Sequence, residues 1–301
     1  MSSLVTNPAG EDKLKRVVQR IYDLPSFPDV IHKLQEEAED PKSTAKRMAA
    51  VMEKDQGLSA KVLKLVNSAF YSFSKPVSSL QHAITLLGYN SIRSLAMSVS
   101  VRSALNANYE NFDSEKFWEH ALSVATTTRM IAEIDKFSLK EDAFTAGLLH
   151  DIGILLIAKY FPEELEAIGK KVREDGMALT SAEEEVLGVD HFVLGAWLAE
   201  QWRLPDMLME PMLRHQALQR EPLSIDNKLD GDVQKVLHFV SVADLLVNAM
   251  GLNHSLDGES KVADRFDVPE HLQIFLGGKP EPEIRAELNE RIEESRTFLA
   301  L

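Results

Sequence analysis

Apolar residues in this chain recur at spacings of three and four, and runs that alternate apolar with polar are scarce. That period belongs to helices buried on one face, so the chain is predicted to be all-α. Glycine supports this, with 14 in 301 residues, below the usual ~7%. A chain this long divides into about two domains. The reading is a two-part helical bundle: a flexible tail over 1–13, an N-terminal helical subdomain over 14–110, a second over 111–251, and a helical extension over 252–301.

Local signals place the helices. One is expected over Lys13–Tyr22, broken by Leu24-Pro25-Ser26-Phe27-Pro28, because each proline removes an N–H donor. The next runs over Asp29–Glu39, and Ser43 or Thr44 caps another that ends near Lys54 and Gly57. Helices follow from Ser59, over Ser79–Leu87 and over Ser91–Leu105, with Gly88 as a C-terminal cap. The second half reads as Ser114–Ile134, Lys140–Asp151, Pro162–Glu174, Thr180–Leu187, Asp190–Trp202, Asp206–His215 (distorted by Pro211) and Val233–Met250. Polar loops are expected over Glu221–Gly231 and Leu252–Ser260, and a Gly277-Gly278-Lys279-Pro280 break precedes a charged final helix.

Composition excludes several chemistries. There is no cysteine, so disulfides, iron–sulfur clusters and thiolate zinc sites are out, and any metal must use nitrogen and oxygen ligands. The net charge of −14 argues against broad contact with a phosphate backbone, and no DNA partner is expected. The basic residues Lys42, Lys46, Arg47, Lys54, Lys61 and Lys64 read as a solvated surface diluted by Glu53 and Asp55. Residues 1–12 carry no secretory signal, and the most apolar stretch, Ile152–Ala158, is far shorter than the ~20 residues of a membrane span. A cytoplasmic protein is expected.

The informative positions are histidines and aspartates on apolar helix faces, since a buried charge needs a partner or a metal. His150-Asp151 follows an apolar run and precedes Ile152-Gly153, which puts the pair in the last turn of its helix. Ordinary hydrogen bonds would also satisfy it. Asp244 shares a face with Val233, Val236, Val240 and Val247, where it either ligates an ion, caps a neighbouring helix or pairs with a cation. His120 lies with Phe117, Val124 and Ile131, His191 with Gly195, Leu198 and Trp202, and His215 after Leu208 and Met212. Each alone fits a satisfied core histidine. Together, His120, His150, Asp151, His191, His215 and Asp244 are six ligands that could converge in one bundle core. The donors suit Fe, Mn, Zn, Ni or Co. His32, His82, His238, His254 and His271 are assigned no chemistry.

These residues resemble the His…His-Asp…Asp pattern of the HD superfamily of metal-dependent phosphohydrolases. The resemblance implies that His120, His150, Asp151 and Asp244 hold one divalent ion. His191 and His215 resemble the extra ligands of the two-metal branch, with Asp151 bridging, so one or two ions are implied. The N-terminal half narrows this. Leu24-Pro25-Ser26-Phe27-Pro28, the run from Asp55 to Tyr71, Ile84-Thr85-Leu86-Leu87-Gly88 and Trp202-Arg203-Leu204-Pro205 resemble the HDOD domain, an HD-related output domain of bacterial signalling proteins. The resemblance spans roughly Ile21–Gly251.

It implies an HD-superfamily-like helical core and a regulatory module that acts on a signalling protein partner. The alternative it implies is an active phosphohydrolase on a nucleotide, cyclic dinucleotide or other phosphate ester, with His150 and Asp151 in the chemistry. Against the two-metal branch, Gln216 replaces a second histidine, the Gly-Tyr-Pro segment is absent, and no upstream glutamate matches. Arg93, Arg129, Lys159 and Arg214 are the candidate cations for positioning a substrate.

Overall fold

Capping side chains start the helices that carry the N-terminal half. Thr44 Oγ1 accepts the Arg47 N–H, Asp55 Oδ1 that of Leu58, and Ser79 Oγ that of His82. In this computed structural model, the residues described are 8–24, 27–105, 107, 109–220, 229–254, 256, 262–263 and 265–299. No strand occurs among them. The order is α1 (Pro8–Val18), α2 (Asp29–Glu39), α3 (Ala45–Met52), α4 (Gln56–Val66), α5 (Leu80–Leu87), α6 (Tyr89–Leu105), α7 (Ser114–Ile134) and α8 (Lys140–Leu149). There follow α9 (Ile152–Tyr160), α10 (Pro162–Asp175), α11 (Leu179–Val186), α12 (His191–Gln201), α13 (Asp206–Arg220), α14 (Gly231–Ala249), α15 (Glu270–Gln273) and α16 (Glu281–Ser295).

Several boundaries differ from the sequence reading for identifiable reasons. α1 runs over Pro8–Val18 rather than Lys13–Tyr22: proline suits a first turn, where its missing N–H would have no partner. The rest of the expected tail, residues 1–7, and much of the two polar loops lie outside the described residues. α4 begins at Gln56 because Asp55, not Ser59, is the cap, so Gly57 sits inside its first turn. The helix expected over Lys140–Asp151 ends at Leu149, and a further helix, α9, starts at once. Pro211 does not end α13.

The second half is built on α7, which packs against α8, α14 and α16, while α13 packs against α8, α12 and α14. Phe117, Trp118, Phe144, Phe161 and Phe239 are fully buried among them. The N-terminal helices α2–α5 pack through α6, which lies against α8. Polar links to α8 are among those that tie the halves. Arg93 of α6 pairs with Asp142 of α8, which also accepts from Ser94 Oγ at 3.0 Å. Glu141 of α8 accepts from Arg129 Nε at 3.0 Å and from Tyr71 Oη at 3.0 Å. The basic N-terminal surface is partly neutralised locally, with Arg47 held by Glu37 at 2.9 Å and Asp40 at 3.0 Å.

One stretch, Lys140–Tyr160, is long and apolar enough to cross a membrane by length and composition, yet 89% of its apolar window is buried inside the protein. It is interrupted at His150-Asp151, and it forms the floor of the site described next.

Candidate metal centre

The His150-Asp151 pair occupies a junction between two helices rather than the last turn of one. His150 follows the C-terminus of α8, and Asp151 precedes the first turn of α9. The positive end of the α9 dipole therefore meets the carboxylate, and the negative end of α8 meets the imidazole. Gly153 is consequently not a C-terminal residue, as the sequence suggested, but lies in the first turn of α9.

All six sequence-selected residues meet at this junction, and all are buried: His120 1%, His150 1%, Asp151 3%, His191 1%, His215 0% and Asp244 2% exposed. α7 contributes His120 from its second turn, α12 contributes His191 as its first residue, and α13 and α14 contribute His215 and Asp244. The stripe predicted on α14 holds, with Val233, Val236, Val240 and Val247 buried beside Asp244.

The imidazoles are oriented from behind. His120 Nδ1 lies 2.7 Å from the Leu252 carbonyl oxygen, His150 Nδ1 2.8 Å from that of Gly147, and His215 Nδ1 2.8 Å from that of Pro211. A carbonyl only accepts, so each Nδ1 carries a proton and donates it. Pro211, which looked like a helix defect, has this use: its carbonyl fixes the ring four residues on. His191 Nδ1 donates instead to Glu183 Oε2 at 2.7 Å. The four Nε2 atoms are thereby turned inward, and all four are buried without a hydrogen-bond partner, as is Asp151 Oδ1. Unpaired buried polar atoms are costly. A cation among them would relieve that cost at a stroke, and neutral imidazole Nε2 with carboxylate oxygen is a donor set for first-row divalent ions.

The donors fall into two groups that share both carboxylates. Asp151 Oδ2 lies 3.0 Å from His150 Nε2 and 3.7 Å from His120 Nε2, while Asp244 Oδ1 lies 3.8 and 3.5 Å from the same atoms. Asp151 Oδ1 lies 3.4 Å from His191 Nε2 and 3.6 Å from His215 Nε2, and Asp244 Oδ2 lies 3.9 Å from His215 Nε2. The donor atoms of His120, His150 and Asp151 lie within 4.8 Å of one another, close enough to hold one ion. Asn248 Nδ2 donates to Asp244 Oδ1 at 2.9 Å and steadies it.

Titration behaviour separates the histidines. Burial pushes His215 down to about 4, with His150 adding to the effect, and lowers His120 for the same two reasons. Burial also disfavours charge on His150 and His191, but their carboxylates win. Asp151 holds His150 above the ordinary imidazole value, and Glu183 with Asp151 holds His191 well above it. Asp151 is itself held well below the carboxylate range, because His150 and His191 outweigh its burial.

Two residues here escaped the sequence reading. His254, 4% exposed, places Nε2 3.8 Å from Asp151 Oδ2 and its ring 5.4 Å from that of His120. Burial pushes it down to about 3. It follows α14 in irregular chain, where no periodicity marks it. Glu183 is 0% exposed. Its signal was available: Leu179, Ala182, Glu183 and Val186 share one helical face.

The four candidate cations are engaged away from these donors. Arg93 pairs with Asp142, Arg129 with Glu141, and Arg214 with Glu210 at 3.0 Å, while Lys159 Nζ lies 5.0 Å over the Tyr160 ring.

An all-helical chain with histidines and aspartates converging at a helix–helix junction is the architecture of an HD-type protein. The HDOD domain family profile matches residues 24–218, and the chain belongs to that family. The chain is similar to a Geobacter sulfurreducens HDOD domain protein of unknown function, with 26% identity, 95% of each chain covered and a TM-score of 0.76. It is also similar to a Shewanella amazonensis protein provisionally described as a phosphohydrolase, with 25% identity, 95% of this chain and 97% of that one covered, and a TM-score of 0.67. An uncharacterized protein of Treponema pallidum (strain Nichols) is 23% identical over 270 residues, covering 89% of this chain. This chain spans 49% of that relative's length.

Proposed function

We propose that this HDOD domain is a regulatory module that binds divalent metal and acts through a protein partner. One observation carries the reading: four buried imidazole Nε2 atoms without hydrogen-bond partners face two shared carboxylates. His120, His150, Asp151 and Asp244 would hold one ion, and His191 and His215, together with Asp151, a second. Nitrogen and oxygen donors favour Fe, Mn, Zn, Ni or Co. The ion would act as a cross-link, joining α7, the α8–α9 junction, α12, α13 and α14, and so fix the surface the module offers. The cytoplasm is the compartment we infer for an HDOD-family signalling module.

A second reading, hydrolysis of a nucleotide or cyclic dinucleotide, is favoured by the likeness to the Shewanella protein. A bound divalent ion would lower the pKa of water and neutralise phosphoryl charge. The engagement of Arg93, Arg129 and Arg214 with carboxylates favours the regulatory reading, since substrate phosphates need positioning cations. The test is an assay of metal-loaded protein on a panel of nucleotides and cyclic dinucleotides, beside His150→Ala. Turnover lost in the variant supports the hydrolase. No turnover, with metal-dependent capture of a defined signalling protein, supports the module.

A further inference from the structure

We propose that Glu183 is a positioning residue for half of this centre: it sets the affinity of the divalent ion taken by His191 and His215. The proposal rests on the metal-binding reading above and adds to it an inequality between the two donor groups.

The inequality lies in what stands behind each ring. His120, His150 and His215 rest their Nδ1 atoms on backbone carbonyls of Leu252, Gly147 and Pro211. His191 alone of the four rests on a carboxylate, Glu183 Oε2 at 2.7 Å. The same oxygen accepts the backbone N–H of His191 at 3.0 Å, so it fixes both the ring and the first residue of α12. Glu183 is wholly buried, and its Oε1 has no hydrogen-bond partner. Burying a carboxylate with one oxygen unsatisfied is expensive if its work is only to start a helix, and α12 already has a cap in Asp190, whose Oδ1 accepts the Val193 N–H at 2.9 Å. A negative charge behind an imidazole makes the opposite nitrogen a stronger donor to a cation and fixes its direction, and losing such a partner costs 10–100-fold in metal affinity. Glu183, carrying a full charge, therefore strengthens His191 as a ligand more than the neutral carbonyls strengthen the other three rings.

The test is Mn²⁺ titration of the full chain, followed by electron paramagnetic resonance and by elemental analysis, for wild type, Glu183→Gln and His120→Ala. Gln keeps the shape and an acceptor oxygen and removes the charge. In wild type, two ions are expected to give a spin-coupled signal. In Glu183→Gln, one ion is expected to remain at wild-type affinity, the other to bind roughly 10–100-fold more weakly, and the coupled signal to give way to that of an isolated ion. His120→Ala should weaken the opposite ion. Glu183→Asp, which restores charge on a shorter arm, should recover part of the loss. A helix-starting role would lower the melting temperature of the metal-free variant and leave both affinities equal to wild type, or lower both alike, and either result overturns the proposal. So does a wild type that takes one ion and holds it as tightly in Glu183→Gln. A wild type that takes up no ion at all sinks the metal-binding reading itself; a loaded wild type with an indifferent Glu183→Gln sinks this inference alone.

Discussion

Gly153 and His191 touch through their backbones: a Cβ on Gly153 would stand 1.9 Å from the His191 carbonyl oxygen and 2.8 Å from the amide nitrogen of Gly195. The obstruction is backbone, which no side-chain rotation relieves. This contact is what lets α12 start directly over the α8–α9 junction and bring His191 to Asp151. Gly153→Ala must therefore push α12 away from the centre. Overpacking of this kind costs roughly 1–3 kcal/mol, and more where backbone resists. We expect a lower melting temperature and loss of metal, whereas Gly176→Ala, at a position with open space around it, should suffer only the strain of its left-handed backbone and keep its metal. Calorimetry with elemental analysis of both variants checks this.

Metal uptake should release protons. In the metal-free centre, His150 and His191 are held above the ordinary imidazole value by Asp151 and Glu183, while His120 and His215 are held below it by burial. The two charged rings must lose their inner protons before Nε2 can donate to a cation, so about two protons should leave near pH 6.5 when both donor groups fill. Calorimetric titration in buffers of different ionisation enthalpy measures this number. Affinity should begin to fall at a higher pH than an unperturbed histidine at about 6.5 would require.

The metal-free protein should be most stable near pH 6.5. His150 and His191 have raised folded values, so their contribution is complete below the unfolded value and fades as pH rises through the folded ones. His215 and His254 have folded values of about 4 and about 3. Between those values and about 6.5 the unfolded chain binds protons that the folded chain refuses, so stability also falls as pH falls. Melting temperatures measured in a chelator from pH 4 to 9 should trace a peak, and a bound metal should move the peak upward.

The joint between the halves depends on Glu141. Its two oxygens hold Arg129 and Tyr71, and the Arg129 guanidinium lies 4.5 Å over the Phe70 ring. Burial beside Glu141 pushes the Tyr71 hydroxyl well above its usual value, so it stays a donor. Glu141→Ala removes the closer carboxylate of a largely buried guanidinium, at 3.0 Å, and leaves it Glu133 at 3.7 Å, so the loss should fall below the roughly 3–5 kcal/mol of a fully broken buried pair. Urea unfolding should show that loss, with metal content unchanged.

Much of this was legible in the chain. The α7 boundaries, Ser114 and Ile134, follow directly from an N-cap at Asp113 and an uninterrupted 3.6-residue period. The six converging side chains were legible because each interrupts an apolar stripe. What was hidden depends on contacts made across the fold. α9 was missed because Gly153 reads as the C-terminal signal of a helix ending at Asp151, and a tight helix–helix junction leaves no proline and no loop to mark a new start. Glu183 hid in the run Glu183-Glu184-Glu185, which looks solvated until the face shared with Leu179 and Ala182 is counted. His254 sits in irregular chain, where only the return of the backbone past α7 brings it to Asp151.

The regulatory reading requires divalent metal among the inward-facing imidazoles and carboxylates. Elemental analysis of the purified chain, after loading with Mn²⁺, Fe²⁺ or Zn²⁺ and removal of free ion, tests it most directly beside His150→Ala. At least one ion per wild-type chain is expected, with a large loss in the variant. Substoichiometric metal in wild type with no gain on loading, or equal metal in both proteins, would contradict it.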